Sequence, residues 1–294
     1  MRNKIPLVSI GIPTYNRLDL LDEAIKCAVN QTYKNLEIII SDNNSPGKEV
    51  ENLVKSYMDK DKRIIFKKHP INIAINENFK YVLSKAKGDY FLFAADDDVR
   101  SLDFIEKNLE FLEANHDYIA STSPTKFENR EFDKVKMGVE SLDNEDPHKR
   151  ILHLVKHWHA NGRFSSLYKM KFMDNAFDAD LFLGNDWYVI ARLLKKGKYK
   201  LIDDGWVVLG KSGISFNNIF RLARTKPIEF IFPFWVLTIF LFKLINSANL
   251  KLKINLFYKM MRLNFSAFKL NTKRELYMLY KRLLKLITIL PNNN

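Results

Sequence analysis

The first half of the chain alternates short, almost wholly apolar runs with stretches whose apolar residues recur every three or four positions. Leu7–Ile12 reads LVSIGI and stops at Pro13, after which Leu18, Leu21, Ile25 and Val29 fall on one helical face. A second strand pattern, Leu36–Ile40, ends in the turn-rich Ser41–Gly47 (SDNNSPG), and a helix over about 48–58 follows. The same alternation gives a strand at 63–68 (RIIFKK), a helix over about 74–86 and a strand at 89–95 (DYFLFAA). Next comes a helix carrying Phe104, Ile105, Leu109 and Leu112. Strands without a polar side need cover on both faces, and serial β–α units supply it. The pattern therefore predicts an α/β fold built on a mostly parallel sheet.

Beyond residue 115 the periodicity loosens. Residues 125–150 are charged and irregular and read as a mobile loop with short strands. A strand is expected at 164–170 and a helix at 184–198, with Asn185 or Asp186 as its N-cap and Gly197 ending it. A strand pair, 199–203 and 206–209, would close the body. Phe230–Phe242 is then thirteen residues without a charge, short of the roughly 20 that a spanning helix needs. After Lys243, two segments mix Leu, Phe, Tyr and Met with Lys and Arg at helical spacing. The expected division is a body over 1–215 and a helical basic region over 216–294.

Charge sharpens that division. The net charge is +13, and residues 216–294 hold 14 Lys and Arg against two acids, Glu229 and Glu275. The other residues are nearly balanced, 33 basic to 32 acidic. Such asymmetry points to a polyanion, either nucleic acid or an anionic membrane surface, and interleaved aromatics favour the membrane interface. The competing reading is a pair of helices packed on the body with a solvated basic face. With 47% hydrophobic and 28% charged residues, the chain is not of the disordered class. A single cysteine, Cys27, excludes an intramolecular disulfide and a Cys-rich zinc module, and it fits a reducing compartment. The N-terminal MRNKIPLVSIGIP lacks the long apolar core of a secretory signal. The expected location is cytoplasmic, peripheral on the inner face of the plasma membrane.

Three polar clusters follow the first, second and fourth strands: Pro13–Asn16, Ser41–Asn44 and Asp96–Asp98. Ligands of parallel sheets bind beyond the carboxyl ends of strands, so one ligand spanning all three is the economical reading. Neither a GxGxxG turn nor a GxxxxGK[ST] phosphate loop is present. Adjacent carboxylates in Asp96–Asp98 suit a hard cation, Mg²⁺ or Mn²⁺; alternatively they form an acidic loop in which Asp98 or Ser101 caps the next helix. Asp42 is either an Asx-turn residue or an acceptor for a nucleobase or ribose. Asp186 is either a helix cap or a general base towards a hydroxyl, and Trp187 is a wall for a sugar ring or part of the core. His157 and His159 lack a third ligand and read as ordinary histidines. Arg163, Ser165 and Ser166 are candidates to line an acceptor cleft. Arg192, Lys195 and Lys196 read as solvated charges near a helix end.

Taken in order, VSIGIPTYNR, SDNNS, NIAINENFKYVLSKAKGDYFLFAADDDV and GNDW resemble the family 2 glycosyltransferases with the GT-A fold, over roughly residues 5–210. The resemblance implies transfer of a sugar from a nucleotide diphosphate to an acceptor hydroxyl with inversion. Carried over residue by residue, Pro13, Thr14, Tyr15 and Arg17 match the donor-binding opening and Asp42 the acid at the base. Asp96–Asp98 match the DxD metal motif for Mn²⁺ or Mg²⁺, with Asp96 and Asp97 also donor-binding, and Asp186 matches the acceptor-activating base. Asn185, Trp187 and Arg163 fall on the acceptor side. The chain departs from the family at Ala74, where Gly is common, and at Asn185, where Glu is common. Ala95 opens one register of the metal motif, so which two of the three acids bind stays open.

The implied partners are a nucleotide-sugar donor, a glycan or lipid-linked acceptor of cell-surface polysaccharide or oligosaccharide assembly, and an anionic membrane surface. Nucleic acid is not expected. The chemistry is coherent, because a cation stabilises a diphosphate leaving group and a single displacement then needs one base. A nucleotidyltransferase of nucleotide-sugar synthesis is the first alternative, but it calls for a glycine-rich basic phosphate loop where VSIGIPTYNR offers only Arg17. A non-enzymatic polyanion binder is the second, and it leaves Asp96–Asp98 and Asp186 without a task.

Overall fold

The computed structural model describes residues 5–174, 182–210 and 227–289. The expected boundary at 215–216 lies outside the described residues. The leading β–α units are β1 (Val8–Thr14), α1 (Leu18–Val29), β2 (Leu36–Asp42), α2 (Glu49–Met58), β3 (Ile64–Lys68), α3 (Ile75–Lys85) and β4 (Tyr90–Phe93). A short β5 (Val99–Arg100) leads to α4 (Phe104–Ala114), β6 (Tyr118–Thr122), β7 (Thr125–Phe127), α5 (Lys134–Met137) and α6 (Pro147–Leu154). Then come β8 (Leu167–Lys169), α7 (Asn185–Lys196), β9 (Lys198–Leu201), β10 (Val207–Leu209), α8 (Trp235–Leu244) and α9 (Leu250–Ile289).

Seven strands form one sheet in the order β3-β2-β1-β4-β8-β6-β9, parallel except where β8 runs against β4 and β6. Successive side chains of a strand point to opposite faces, and here both faces are apolar. Ile38, Ile40, Leu92 and Ala94 pack with Leu21, Ile25, Val54, Phe104 and Leu109 of α1, α2 and α4. Ile39, Phe91 and Phe93 face the other way, onto a cluster that contains Val82 of α3 and the inner residues of α7. That two-sided demand is why these strands read as continuous apolar runs.

Three expectations change. The 125–150 region is more ordered than its charge implied. Asp133 caps α5 and Asp146 caps α6 by accepting backbone amides, with Pro147 in the first turn of α6 where its missing N–H costs nothing. The expected closing strand pair is not a pair. β9 lies beside β6 in the main sheet, whereas β10 joins a small second sheet between β5 and β7, because the intervening residues turn through Gly205 at φ +71° and leave the first sheet. The N-cap of α7 is Gly184, at φ +87°, so neither Asn185 nor Asp186 caps that helix.

The C-terminal helices share the core of the body. Leu237, Leu241 and Ile245 of the α8 region and Leu256, Met260, Leu263 and Ala267 of α9 are buried in one cluster with Trp187, Tyr188 and Leu152. Asn264 of α9 accepts the Phe234 amide at 2.8 Å, tying the start of α8 to α9. Gly184 is required where α8 crosses α7: besides its positive φ, a Cβ there would meet Leu237 Cδ2 at 2.9 Å. Among the described residues no helix is long and apolar enough to cross a membrane.

Candidate active site

The strand order makes the site. The chain steps outward from β1 to β2 to β3, then returns to place β4 on the other side of β1, and a crevice opens at such a reversal. Register aligns Thr14 with Asp42 and Gly11 with Phe93, so the ends of β1, β2 and β4 lie side by side. The three clusters read from the sequence are therefore neighbours. Thr14 Oγ1 donates to Asp96 Oδ2 at 2.7 Å, and Arg17 Nη1 donates to Asp96 Oδ1 at 2.7 Å, joining the first cluster to the third. Tyr15 is exposed beside them.

Asp42 is fully buried at the end of β2. Its Oδ1 takes the Ser45 amide at 2.9 Å and the Ser45 hydroxyl at 2.5 Å, the Asx-type turn anticipated from the sequence. Its Oδ2 is buried with no hydrogen-bond partner. A buried carboxylate oxygen left without a donor is costly, and a donor on a bound ligand would satisfy it. The adjoining wall is fixed by Asn43, which exchanges hydrogen bonds with the Ile73 backbone, and by Asn78, which binds Ser41 and the Thr14 carbonyl.

Asp98 is enclosed. It receives the Ser165 hydroxyl at 3.1 Å and the Gly210 amide at 3.2 Å, with the Arg100 guanidinium 3.8 Å away. Gly210 can approach so closely only without a side chain, since a Cβ there would lie 2.3 Å from the Asp97 carbonyl. Burial raises the Asp96 carboxyl against the opposing pull of Arg17, and burial pushes Asp98 up to about 6. The triplet thus gains from positive charge brought beside it. Among the described residues no three His, Cys, Asp or Glu side chains form a group that could hold a cation alone. The donor set fits a hard cation that takes one or two carboxylates here and completes its shell with phosphate oxygens.

One short segment joins the acid cluster to Asp186. A 3₁₀ turn, Gly162–Ser165, ends in the serine that binds Asp98 and starts just after Asn161, whose Nδ2 donates to Asp186 Oδ2 at 2.9 Å. Five residues span the two carboxylates, and a 3₁₀ segment rises only about 2 Å per residue. Asp186 and Asp98 therefore stand at opposite ends of one compact turn. Burial raises the Asp186 carboxyl, while Asn161 and the first amides of α7 favour its anion. Asn161 itself is buried in the left-handed region at φ +53°.

The remaining residues named from the sequence divide. Asn185 is buried beside Asp186, its amide donating to the Phe182 carbonyl. Trp187 belongs to the core: it is 5% exposed, its ring stacked 4.1 Å from His159 on one side and 6.0 Å from Phe234 on the other. Arg163 does not line a cleft. It is 1% exposed, its guanidinium donates to the Glu140 carbonyl and lies over the Tyr199 ring, and burial lowers it to about 10. His159 is buried and neutral, accepting the Asn161 amide at Nδ1 and donating from Nε2 to the Leu154 carbonyl. Asn161, Arg100 and Gly210 were not singled out from sequence; Asn161 and Gly210 act through contacts to residues far away in the chain, and Arg100 turns its guanidinium back towards Asp98, two residues earlier.

The model of the family described as "Glycosyl transferase family 2" matches residues 9–176, more than half of the chain. The chain belongs to glycosyl transferase family 2. The matched stretch contains the three strand-end clusters and Asn161–Ser165, and Asp186 lies ten positions beyond its end. Among curated relatives, an uncharacterized glycosyltransferase of Haemophilus influenzae is 38% identical over 112 residues, covering 38% of this chain and 44% of that protein. A Campylobacter jejuni GalNAc(5)-diNAcBac-PP-undecaprenol beta-1,3-glucosyltransferase is 26% identical over 196 residues, 66% of this chain and 62% of that one. The chain thus spans less than half the length of the first curated relatives it matches.

Among solved structures, Staphylococcus aureus TarS 1–349 in complex with UDP-GlcNAc superposes with a TM-score of 0.57 at 14% identity, covering 87% of this chain and 81% of that one. Mannosyltransferase PcManGT from Pyrobaculum calidifontis, in complex with GDP-Man and Mn²⁺, gives 0.52 at 14% identity, covering 98% and 84%. At this identity the likeness is one of fold. It bears out the expected GT-A-type α/β architecture with its mostly parallel sheet and added C-terminal helices.

Proposed function

We propose that this family 2 protein is an inverting glycosyltransferase that moves a sugar from a nucleoside diphosphate to a hydroxyl of a lipid-linked glycan acceptor at the cytoplasmic membrane face. The observation that carries the reading is the Asn161–Ser165 turn, which holds Asp186 at one end and Asp98 at the other. Donor and acceptor chemistry need that proximity.

In this reading Asp42 Oδ2 accepts from the base or ribose, and Pro13, Thr14, Tyr15 and Arg17 border the donor, Thr14 and Arg17 fixing the Asp96 carboxylate. Two of Asp96, Asp97 and Asp98 hold Mn²⁺ or Mg²⁺, which when bound supplies counter-charge to the departing diphosphate. Asp186, raised by burial against the opposing hydrogen bond from Asn161, takes the proton of the acceptor hydroxyl as its oxygen attacks the face of the sugar opposite the leaving group. One displacement inverts the anomeric carbon and calls for no covalent intermediate. Asn185, beside the base, borders the acceptor.

The solved relatives bound to UDP-GlcNAc and GDP-Man support a nucleotide-sugar donor, and the undecaprenol-linked substrate named for the Campylobacter jejuni relative supports a lipid-linked acceptor of surface-glycan assembly. Helix α9 supports a place on an anionic membrane: Leu250, Ile254, Phe257 and Phe265 are exposed among its lysines and arginines. On this division residues 1–215 carry the transfer chemistry and 216–294 the membrane contact. Asp186→Asn is the test. It should bind a nucleotide sugar as the wild type does, by calorimetry, while transfer falls by several orders of magnitude; undiminished transfer would remove Asp186 from the role of base.

A further inference from the structure

Helix α9 has three longitudinal faces in roughly its first five turns. Leu256, Met260, Leu263 and Ala267 are buried against the body. Leu250, Ile254, Phe257, Met261, Phe265 and Phe268, spaced at helical repeats of three or four, form a second stripe in which Leu250 is 72% and Phe265 69% exposed. The third stripe, Asn255, Lys259, Arg262 and Ser266, faces the α6 side across a groove.

That groove comprises two adjoining cavities of about 330 and 110 Å³ that share Lys156 and Lys259. One wall brings Lys149, His153 and Lys156 from α6 and the residues just after it, and the other brings Lys259 and Arg262 from α9. No acidic side chain lines either cavity. Cations so gathered repel one another: burial, then Lys156 and Arg262, lower the Lys259 ammonium, and burial lowers His153 although Glu140 lies 3.8 Å from its ring. Keeping four Lys and Arg around one cavity system without an acid costs stability, and an anion in the groove would remove that cost. The far end of the groove is lined by Trp158, whose ring packs 5.3 Å from Phe234, the residue that also covers Trp187 beside Asp186.

We infer that the groove between α6 and α9 is a binding site for the phosphate groups of a membrane amphiphile, with the exposed apolar stripe of α9 taking the adjacent hydrocarbon. An aqueous polyanion would match the charge but leave the neighbouring apolar stripe without a purpose. The choice of a diphosphate-bearing lipid as the first probe rests on the acceptor proposed above. An anionic headgroup offers the same phosphate chemistry.

The experiment compares the full-length wild type, Lys156→Ala/Lys259→Ala and Lys269→Ala/Lys273→Ala. The last variant removes equal charge from α9 outside the groove. Each is sedimented with phosphatidylcholine vesicles containing a small fraction of either a polyprenyl diphosphate or phosphatidylglycerol, after thermal melting has checked that all three fold. With roughly fivefold from each lysine near a phosphate surface, the groove variant should bind about 30-fold more weakly, and the control variant should lose less. A loss confined to diphosphate vesicles assigns the groove to the acceptor carrier, and one confined to phosphatidylglycerol assigns it to headgroups. Equal behaviour of the two variants on both vesicles overturns the site. Donor turnover by the wild type is scored separately: its absence would count against the proposed transfer reaction, while the vesicle result would still decide the groove.

Discussion

Replacing Asn161 separates the positioning of Asp186 from the integrity of the fold. Its Nδ2 donates to Asp186 Oδ2 at 2.9 Å inside the protein, and a hydrogen bond to a charged group contributes about 1.5–3 kcal/mol. Losing that stabilisation of the anion moves the carboxyl further upward. The residue also sits at φ +53°, where a non-glycine side chain without Asn's local hydrogen bonding costs about 1–2 kcal/mol. Asn161→Gly therefore removes the amide without backbone strain, and Asn161→Ala removes the amide and adds the strain. In a pH profile of kcat/KM for sugar transfer, the acid limb of both variants should lie at higher pH than that of the wild type, because an Asp186 acting as base must be ionised. Only Asn161→Ala should also lose melting temperature beyond the glycine variant. An acid limb for Asn161→Gly that coincides with the wild type would refute the argument that this amide sets the ionisation of Asp186.

Three further outcomes are expected. Asp42→Asn keeps the size of the side chain but loses the anionic acceptor whose Oδ2 is unpartnered; nucleoside diphosphate affinity by calorimetry should fall about 10- to 100-fold, with unchanged affinity counting against Asp42 as a donor contact. His159 is held down to about 3 by burial, so below its unfolded value of about 6.5 the unfolded chain takes a proton that the folded one resists. Stability should fall as pH drops from about 6.5 towards 3, by several kcal/mol at the low end, and urea titrations across that range should show a flatter dependence for His159→Gln. Gly184→Ala should lower the urea midpoint by the equivalent of about 1–3 kcal/mol, since it places a Cβ at φ +87° and 2.9 Å from Leu237; an unchanged midpoint would mean that α8 yields there freely.

Much of the strand-end crevice was legible because apolar runs end abruptly at polar residues. LVSIGI stopping at PTYN and FLFAA stopping at Asp96 mark strand ends, and a parallel register brings those ends together without further information. Helix α9 was legible as amphipathic, but its division into a buried, an exposed apolar and a cationic stripe was not, because both apolar stripes share one period. The acceptor side was misread where a polar residue is buried. Arg163 carries a charge that ordinarily stays in water, and nothing local announces that the Glu140 carbonyl and the Tyr199 ring accommodate it. Asp186 suited an N-cap by position, yet Asn161, 25 residues earlier, orients its carboxylate instead. Residues 199–203 and 206–209 read as a strand pair, and only the alternative pairings offered by β6 on one side and by β5 and β7 on the other separate the two strands.

The burial of α8 and half of α9 changes what can be learned by shortening the protein. Leu237 and Phe234 cover the flank of α7 against which Trp187 and Gly184 rest, so a chain stopped near residue 226 would uncover the helix that carries Asp186. Loss of transfer in such a truncation would then report a collapsed scaffold, whatever the helices do at a bilayer. Point changes on the outward stripe, at Phe257 or Phe265 for example, leave the inner seam intact. They are the cleaner instrument for asking whether that stripe meets a bilayer.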